Sequence, residues 1–229
     1  MNPLNTTNQS KASGNILKDS YYKERLLKSN AASMYKTSLG ATKTYMQNNV
    51  DHDESDNDDI PQEEQEMDLQ KLLQRFGKTS SGETYAFLEF VCTHKKLKSL
   101  KILKNYQHLQ TVDISYNNLT SLKYLSGLKY LTSITAINNQ LTSILDMKHI
   151  PHSLDYVDLS YNQITRIPSL EGHRYLRVLK LVGNKISNIT GLEKNKKLEI
   201  LNLSENLVDE IKGLDGLDLK ELYLGSNKI

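Results

Sequence analysis

Between Leu109 and Ile229 the apolar positions fall into one eleven-residue pattern written six times. The six phrases are LQTVDISYNNL, LTSITAINNQL, LDYVDLSYNQI, LRVLKLVGNKI, LEILNLSENLV and LKELYLGSNKI. They reduce to L-x-x-L-x-L-x-x-N-x-L, with asparagines at Asn117, Asn139, Asn162, Asn184, Asn206 and Asn227. The steps between these asparagines are 22, 23, 22, 22 and 21 residues. Among the anchor positions only Ala136 is not Leu, Ile, Val or Asn. The central x-L-x-L-x alternates with a period of two, which predicts a short strand. Val112 and Ile114 then face inward, and Thr111, Asp113 and Ser115 face outward. One phrase cannot bury its own leucines, but stacked neighbours form a continuous apolar column.

Between the phrases an apolar residue recurs every third position, as in Leu119, Leu122, Leu125, Leu128 and Leu131. The same beat carries Ile164, Ile167, Leu170 and Leu176, with His173 in the remaining slot and Asn195 in the equivalent slot of the next repeat. A three-residue rhythm suits a tight, 3₁₀ or short helical return. His173 and Asn195 are expected to be partly exposed at the convex edge. The fixed period and the asparagine at each strand exit define an α/β leucine-rich repeat solenoid, a curved parallel sheet on the concave side with short returns on the convex side. The asparagine amides would satisfy turn backbone that is otherwise buried unpaired, so a structural ladder is assigned to them and no ligand role. Extended backwards, the register reaches a degenerate first repeat through Phe87, Phe90, Cys92 and Leu97, with Lys95 in place of the asparagine. That gives about seven repeats over residues 85–229.

Upstream of the repeats the pattern changes twice. Residues 59–84 read as an N-terminal capping helix and loop. Pro61 follows two aspartates, Glu63, Glu64 and Glu66 suit the first turn, and Leu69, Leu72, Leu73 and Phe76 follow at helical spacing up to Gly77. Residues 1–58 are poor in large apolar side chains, a composition expected to stay disordered. Within them Lys18 to Lys28, with Tyr21, Tyr22, Leu26 and Leu27, reads either as a motif that orders on a partner or as chance clustering. At the other end the chain stops at Ile229 on the last letter of a repeat, without a polar cap, which reads as a fragment of a longer protein.

Charge is unevenly spread behind a net value of +2. Residues 1–50 carry seven basic and two acidic side chains, residues 51–68 carry ten acidic and no basic ones, and the remainder carries 22 basic against 15 acidic. The lysines are scattered over the returns rather than interleaved with aromatics, which disfavours nucleic-acid binding. A single cysteine points to a reducing compartment, and MNPLNTTNQS lacks the apolar core of a secretory signal. No apolar run is long enough to span a membrane. No phosphate loop, nucleophile elbow, dinucleotide fingerprint or H-E-x-x-H motif is present, and the six histidines show no ligand spacing. His149 and His152 lie three apart with Pro151 between them, and Cys92 takes an inward strand position. The chain reads as a non-enzyme with no cofactor, metal or small-molecule substrate.

The chemistry that remains is on the outward strand positions. The first column is Thr111, Ser133, Tyr156, Val178, Ile200 and Glu221. The second is Asp113, Thr135, Asp158, Lys180, Asn202 and Tyr223, and the third is Ser115, Ile137, Ser160, Val182, Ser204 and Gly225. Tyr156, Val178, Val182, Ile200 and Tyr223 form an apolar strip edged by Asp158, Lys180 and Asn202, the make-up of an interface core with a polar rim. A partner helix or extended segment along the concavity is the expected ligand.

GETYAFLEF, followed by LKSLKILKNYQHLQTVDISYNNLTSLKYLSGLKYL, resembles the opening of the leucine-rich repeat-containing protein 23 family. There a Y-x-H-L-x-x-V-D-I-S phrase follows a similar degenerate repeat, here Tyr106, His108, Leu109, Val112, Asp113, Ile114 and Ser115. The YNQI turn at Tyr161 to Ile164 is similar too, and the resemblance spans about residues 61–229. It implies a non-catalytic scaffold of the ciliary or flagellar axoneme, a component of the radial spoke, with other spoke or axonemal proteins as partners. The family's further repeats and C-terminal cap are missing from this sequence, as a fragment would explain. Two other roles share the short repeat: a regulatory subunit docking a phosphatase or axonemal dynein, and a nuclear ribonucleoprotein scaffold. The first would call for more clustered acidic and aromatic residues on the concave face, the second for a stronger basic patch.

Overall fold

The computed structural model describes residues 69–82 and 84–229. The expected tail, 1–58, and the first part of the expected cap, 59–68, lie outside the described residues. The described chain forms one eight-stranded sheet whose strands follow sequence order. They are β1 (Leu73–Lys78), β2 (Tyr85–Val91), β3 (Thr111–Asp113), β4 (Ser133–Thr135), β5 (Tyr156–Asp158), β6 (Val178–Lys180), β7 (Ile200–Asn202) and β8 (Glu221–Tyr223). β2 to β8 are parallel, and each pair is in the register of the repeat: Thr111, Ser133, Tyr156, Val178, Ile200 and Glu221 lie side by side. The fold is a leucine-rich repeat solenoid.

Alternation does what the pattern demands. Val112, Ile134, Val157, Leu179 and Leu201 on the strands, with Ile114, Ala136, Leu159, Leu181 and Leu203 just beyond them, are completely buried. Burying one such aliphatic side chain is worth roughly 1.5–3 kcal/mol, so the stacked column supplies the main driving force. On the opposite side the three-residue beat is a chain of backbone bonds. Leu125, Leu128 and Leu131 each donate to the carbonyl three residues back, at 2.9, 3.0 and 3.3 Å, and Leu103, Tyr106 and Leu109 do the same. Each turn returns the next apolar side chain to the core. Among the described residues only Lys101–Leu103 and Lys123–Gly127 are regular 3₁₀ helix; the later returns are turns joined by the same kind of bonds.

Two expectations are corrected. The helix before the repeats ends at Leu72 (α1, Leu69–Leu72), and the chain continues as β1, antiparallel to β2. Leu73 and Phe76 therefore pack from a strand: Leu73 pairs with Phe90, and Phe76 makes an edge contact with Phe87 at 5.2 Å. The physical reason is the open edge of β2, which a hairpin strand can satisfy with ladder bonds and a helix cannot. Gly77 is not a helix stop but a close approach, since a Cβ there would lie 3.1 Å from Leu88. The second correction concerns His173 and Asn195, which are buried in the return core rather than partly exposed. Asn195 donates to the carbonyls of Leu170 and His173, both at 3.0 Å, which explains how an amide occupies a leucine slot. In the one 23-residue repeat, Leu145 takes a left-handed φ of 48°.

Candidate protein-interaction surface

Each ladder asparagine faces backwards along the solenoid. Asn162 accepts from the Leu141 amide at 2.9 Å and donates to the carbonyls of Ala136, Leu159 and Ser160 at 2.9, 3.0 and 3.2 Å. Asn117, Asn139, Asn184, Asn206 and Asn227 repeat the arrangement, accepting from Leu97, Leu119, Ile164, Ile186 and Val208. One amide thus closes its own turn and the turn of the preceding repeat. At the degenerate repeat Asn117 also accepts from Lys95, whose own side chain is exposed.

The sheet face brings Tyr156, Val178 and Ile200 together as neighbours in the first column. Lys180, Asn202 and Tyr223 follow one another in the second. Tyr156, Val178, Val182 and Ile200 are half-buried, because flanking side chains on strands about 4.8 Å apart shade one another. Tyr223 is exposed, and its hydroxyl donates to Glu221 at 2.7 Å. That bond and the carboxylate's charge raise the Tyr223 pKa. Lys180 lies over the Tyr156 ring, 5.4 Å from its centroid, as a cation–π pair.

The expected polar rim has a different occupation. Asp158 is buried, with one carboxylate oxygen accepting from the Ser160 amide at 3.0 Å. Asp113 and Asn202 make the same bond to Ser115 and Ser204, so three of the six second-column residues tie off the strand end. Short polar side chains bonding two residues ahead are typical turn formers. This leaves Lys180 as the charged group of the strip on offer to a ligand.

A fourth row escaped sequence reasoning. The residue before each ladder asparagine is left-handed: Tyr116, Asn138, Tyr161, Gly183, Glu205 and Ser226 have φ between 55° and 64°. Their side chains stand at the edge where strands turn into returns, and Tyr116 and Tyr161 are 46% and 44% exposed. His94 stacks on Tyr116 with 4.3 Å between ring centres. The Tyr161 ring lies across Gly183, where a Cβ would come within 2.4 Å of it, and its hydroxyl donates to Glu205 at 3.4 Å. The Glu205 charge raises the Tyr161 pKa. The signal was present as the recurring pair Tyr-Asn in SYNN and SYNQ.

The opposite edge carries an alternating charge row. Arg177 bonds Asp155, Lys220 pairs with Glu199 at 3.0 Å, and Lys197 lies over the Tyr175 ring at 4.3 Å. These are exposed pairs and contribute little to stability. His149 Nδ1 lies within hydrogen-bond distance of the Ser126 hydroxyl, at 3.2 Å. Among the described residues no three His, Cys, Asp or Glu side chains gather as metal ligands. Among them, too, no helix is long and apolar enough to cross a membrane.

Known families agree with the repeat reading. Residues 152–194 and 176–216 match the family described as Leucine Rich repeats (2 copies), and residues 107–122 match Leucine Rich repeat. Among solved structures the chain is similar to internalin C2 of Listeria monocytogenes, at 25% identity and a TM-score of 0.56. The match covers 62% of this chain and 63% of that one. Internalin F of the same organism is similar at 24% identity over 62% of this chain and 48% of its own, with a TM-score of 0.44. No curated protein matches the sequence. Proteins with leucine-rich repeats generally act as protein-interaction scaffolds, and a leucine-rich repeat protein is the class this chain's fold defines.

Proposed function

We propose that this chain is a non-catalytic interaction scaffold of the ciliary axoneme, a radial-spoke component that holds a partner segment along its concave face. The observation that carries the interaction reading is the row Tyr156, Val178 and Ile200, aligned across three adjacent strands with Lys180 against the tyrosine ring. An apolar row flanked by one cation suits a helix or extended segment with apolar anchors and an acidic neighbour. The axonemal placement rests on the resemblance carried by Tyr106, His108 and the V-D-I-S phrase. The cytoplasmic face of the cilium, with other axonemal proteins as partners, is the compartment that follows.

Two measurements test the two levels separately. The tagged chain, expressed in ciliated cells and extracted with detergent, should stay with the axoneme and be lost from it in spoke-deficient cells. A soluble or nuclear signal would remove the axonemal placement. Tyr156→Ala with Tyr223→Ala should weaken capture of spoke proteins at least tenfold while the melting transition stays cooperative; unchanged capture would move the contact to another surface.

A further inference from the structure

We propose that the strand-exit edge centred on Tyr116 and Tyr161 is a second binding surface, which takes a proline-rich segment in the polyproline II conformation. The first argument is conformational. Tyr116 and Tyr161 hold φ of 58° and 55°, a region that Gly and Asn enter easily and bulky side chains do not. The same row uses Asn138 and Gly183, so the fold itself accepts the cheaper residues at this position. The two rings are exposed and bury little core surface in return. Each ring is held in place, Tyr116 by His94 and Tyr161 over Gly183, yet keeps much of its surface open to solvent, and an exposed, pre-positioned aromatic points to a binding role.

The second argument is chemical. From Tyr116 to Gly183 the edge presents Asn118, Asn138, Gln140, Tyr161 and Gln163 without a charged side chain, in a chain that is 24% charged. Rigid aromatic faces among amides make a surface rich in hydrogen-bond donors and depleted in charge. A polyproline II segment has no internal hydrogen bonds, so its carbonyls need donors, and its prolines pack on aromatic rings. The spacing agrees. Tyr116 and Tyr161 are two repeats apart, about 9.6 Å at the usual strand separation. Three residues of polyproline II rise about 9.3 Å, so prolines in P-x-x-P reach both rings. Charges at the ends set direction: Glu205, bonded to the Tyr161 hydroxyl, favours a basic residue beyond the second proline, and Lys95 and Lys96 mark the other end. This surface lies beside the concave strip and does not depend on it.

The test titrates the full chain into a fluorescein-labelled APPLPPR peptide and follows anisotropy, with the peptide in which alanine replaces every proline as reference. Binding is expected for the first peptide and not the second. Tyr116→Asn with Tyr161→Asn should weaken binding at least tenfold while the melting transition stays cooperative, because Asn suits the left-handed backbone and partly offsets the lost ring contacts. Glu205→Arg should weaken the arginine-ended peptide and recover binding of one ending in glutamate. No binding by the unaltered chain at millimolar concentration, equal binding of the alanine peptide, or full binding by the double Asn variant would each overturn the proposal. Loss of peptide binding in the Tyr156→Ala and Tyr223→Ala chain alone would overturn it too, by moving the segment to the concave strip.

Discussion

Replacing Asn162 with alanine isolates what the ladder contributes. Asn162 is 7% exposed, and its Oδ1 is the acceptor of the completely buried Leu141 amide. Without it that amide is orphaned, which costs roughly 1–3 kcal/mol. The three carbonyls that Asn162 serves are better insured. Ala136 also receives Asn139 at 3.3 Å, Leu159 receives Asn184 at 3.1 Å, and Ser160 receives the Asn138 amide at 3.0 Å. Their combined loss is smaller, of order 1 kcal/mol. The sum, about 2–4 kcal/mol, corresponds to about 5–15 °C in melting temperature for a domain of this size. Urea unfolding should show a lower midpoint at constant slope, and hydrogen exchange should rise first at Leu141, one repeat before the substitution. Asn162→Asp keeps the acceptor but turns a carboxylate towards three carbonyl oxygens, so it should be at least as damaging. Asn118→Ala, at an exposed position next to the ladder residue Asn117, should stay within about 0.5 kcal/mol. A loss below about 0.5 kcal/mol for Asn162→Ala, or faster exchange spread evenly over the repeats, would refute the account.

Gly191 has a φ of 75°, and a Cβ there would meet the Pro168 carbonyl oxygen at 2.3 Å. Since the obstacle is backbone, Gly191→Ala should cost more than the roughly 1–2 kcal/mol of the left-handed conformation alone, read from the urea midpoint. Burial, assisted by the nearby His152, holds the His173 pKa down to about 4 from the ordinary 6.5. The unfolded chain then binds the extra proton first, so this contribution to stability is complete above pH 6.5 and is lost as pH falls from 6.5 towards 4. His173→Leu should flatten that part of the stability profile; an unchanged slope would place the titration elsewhere.

How far the sequence could be read depended on whether one residue type had one possible cause. The asparagine at 22-residue steps has a single explanation, a turn to be closed, so strand positions, register and inward column were all legible. The spacing of Leu69, Leu72, Leu73 and Phe76 fits a helix face, yet the deciding fact lay elsewhere, in the unpaired edge of β2. A polar residue in an apolar slot suggested exposure for Asn195, because the carbonyls of Leu170 and His173 that receive it are 25 and 22 residues away in sequence. On the binding face the outward columns were legible and the use of Asp158 was not. A carboxylate free for a ligand and one capping Ser160 have the same sequence signature. The left-handed row was hidden because Tyr is a poor indicator of positive φ.

The backward reach of the asparagines sets an order in time. As the chain leaves the ribosome, a repeat can lay its leucines on the stack, but its turn stays open until the next repeat delivers an amide some 20 residues later. At ordinary rates of synthesis that delay is about 1–4 s per repeat. The growing solenoid therefore carries one unfinished turn at its leading end, which advances by one repeat each time an asparagine emerges. A defective asparagine holds up the unit already made as well as the one that contains it.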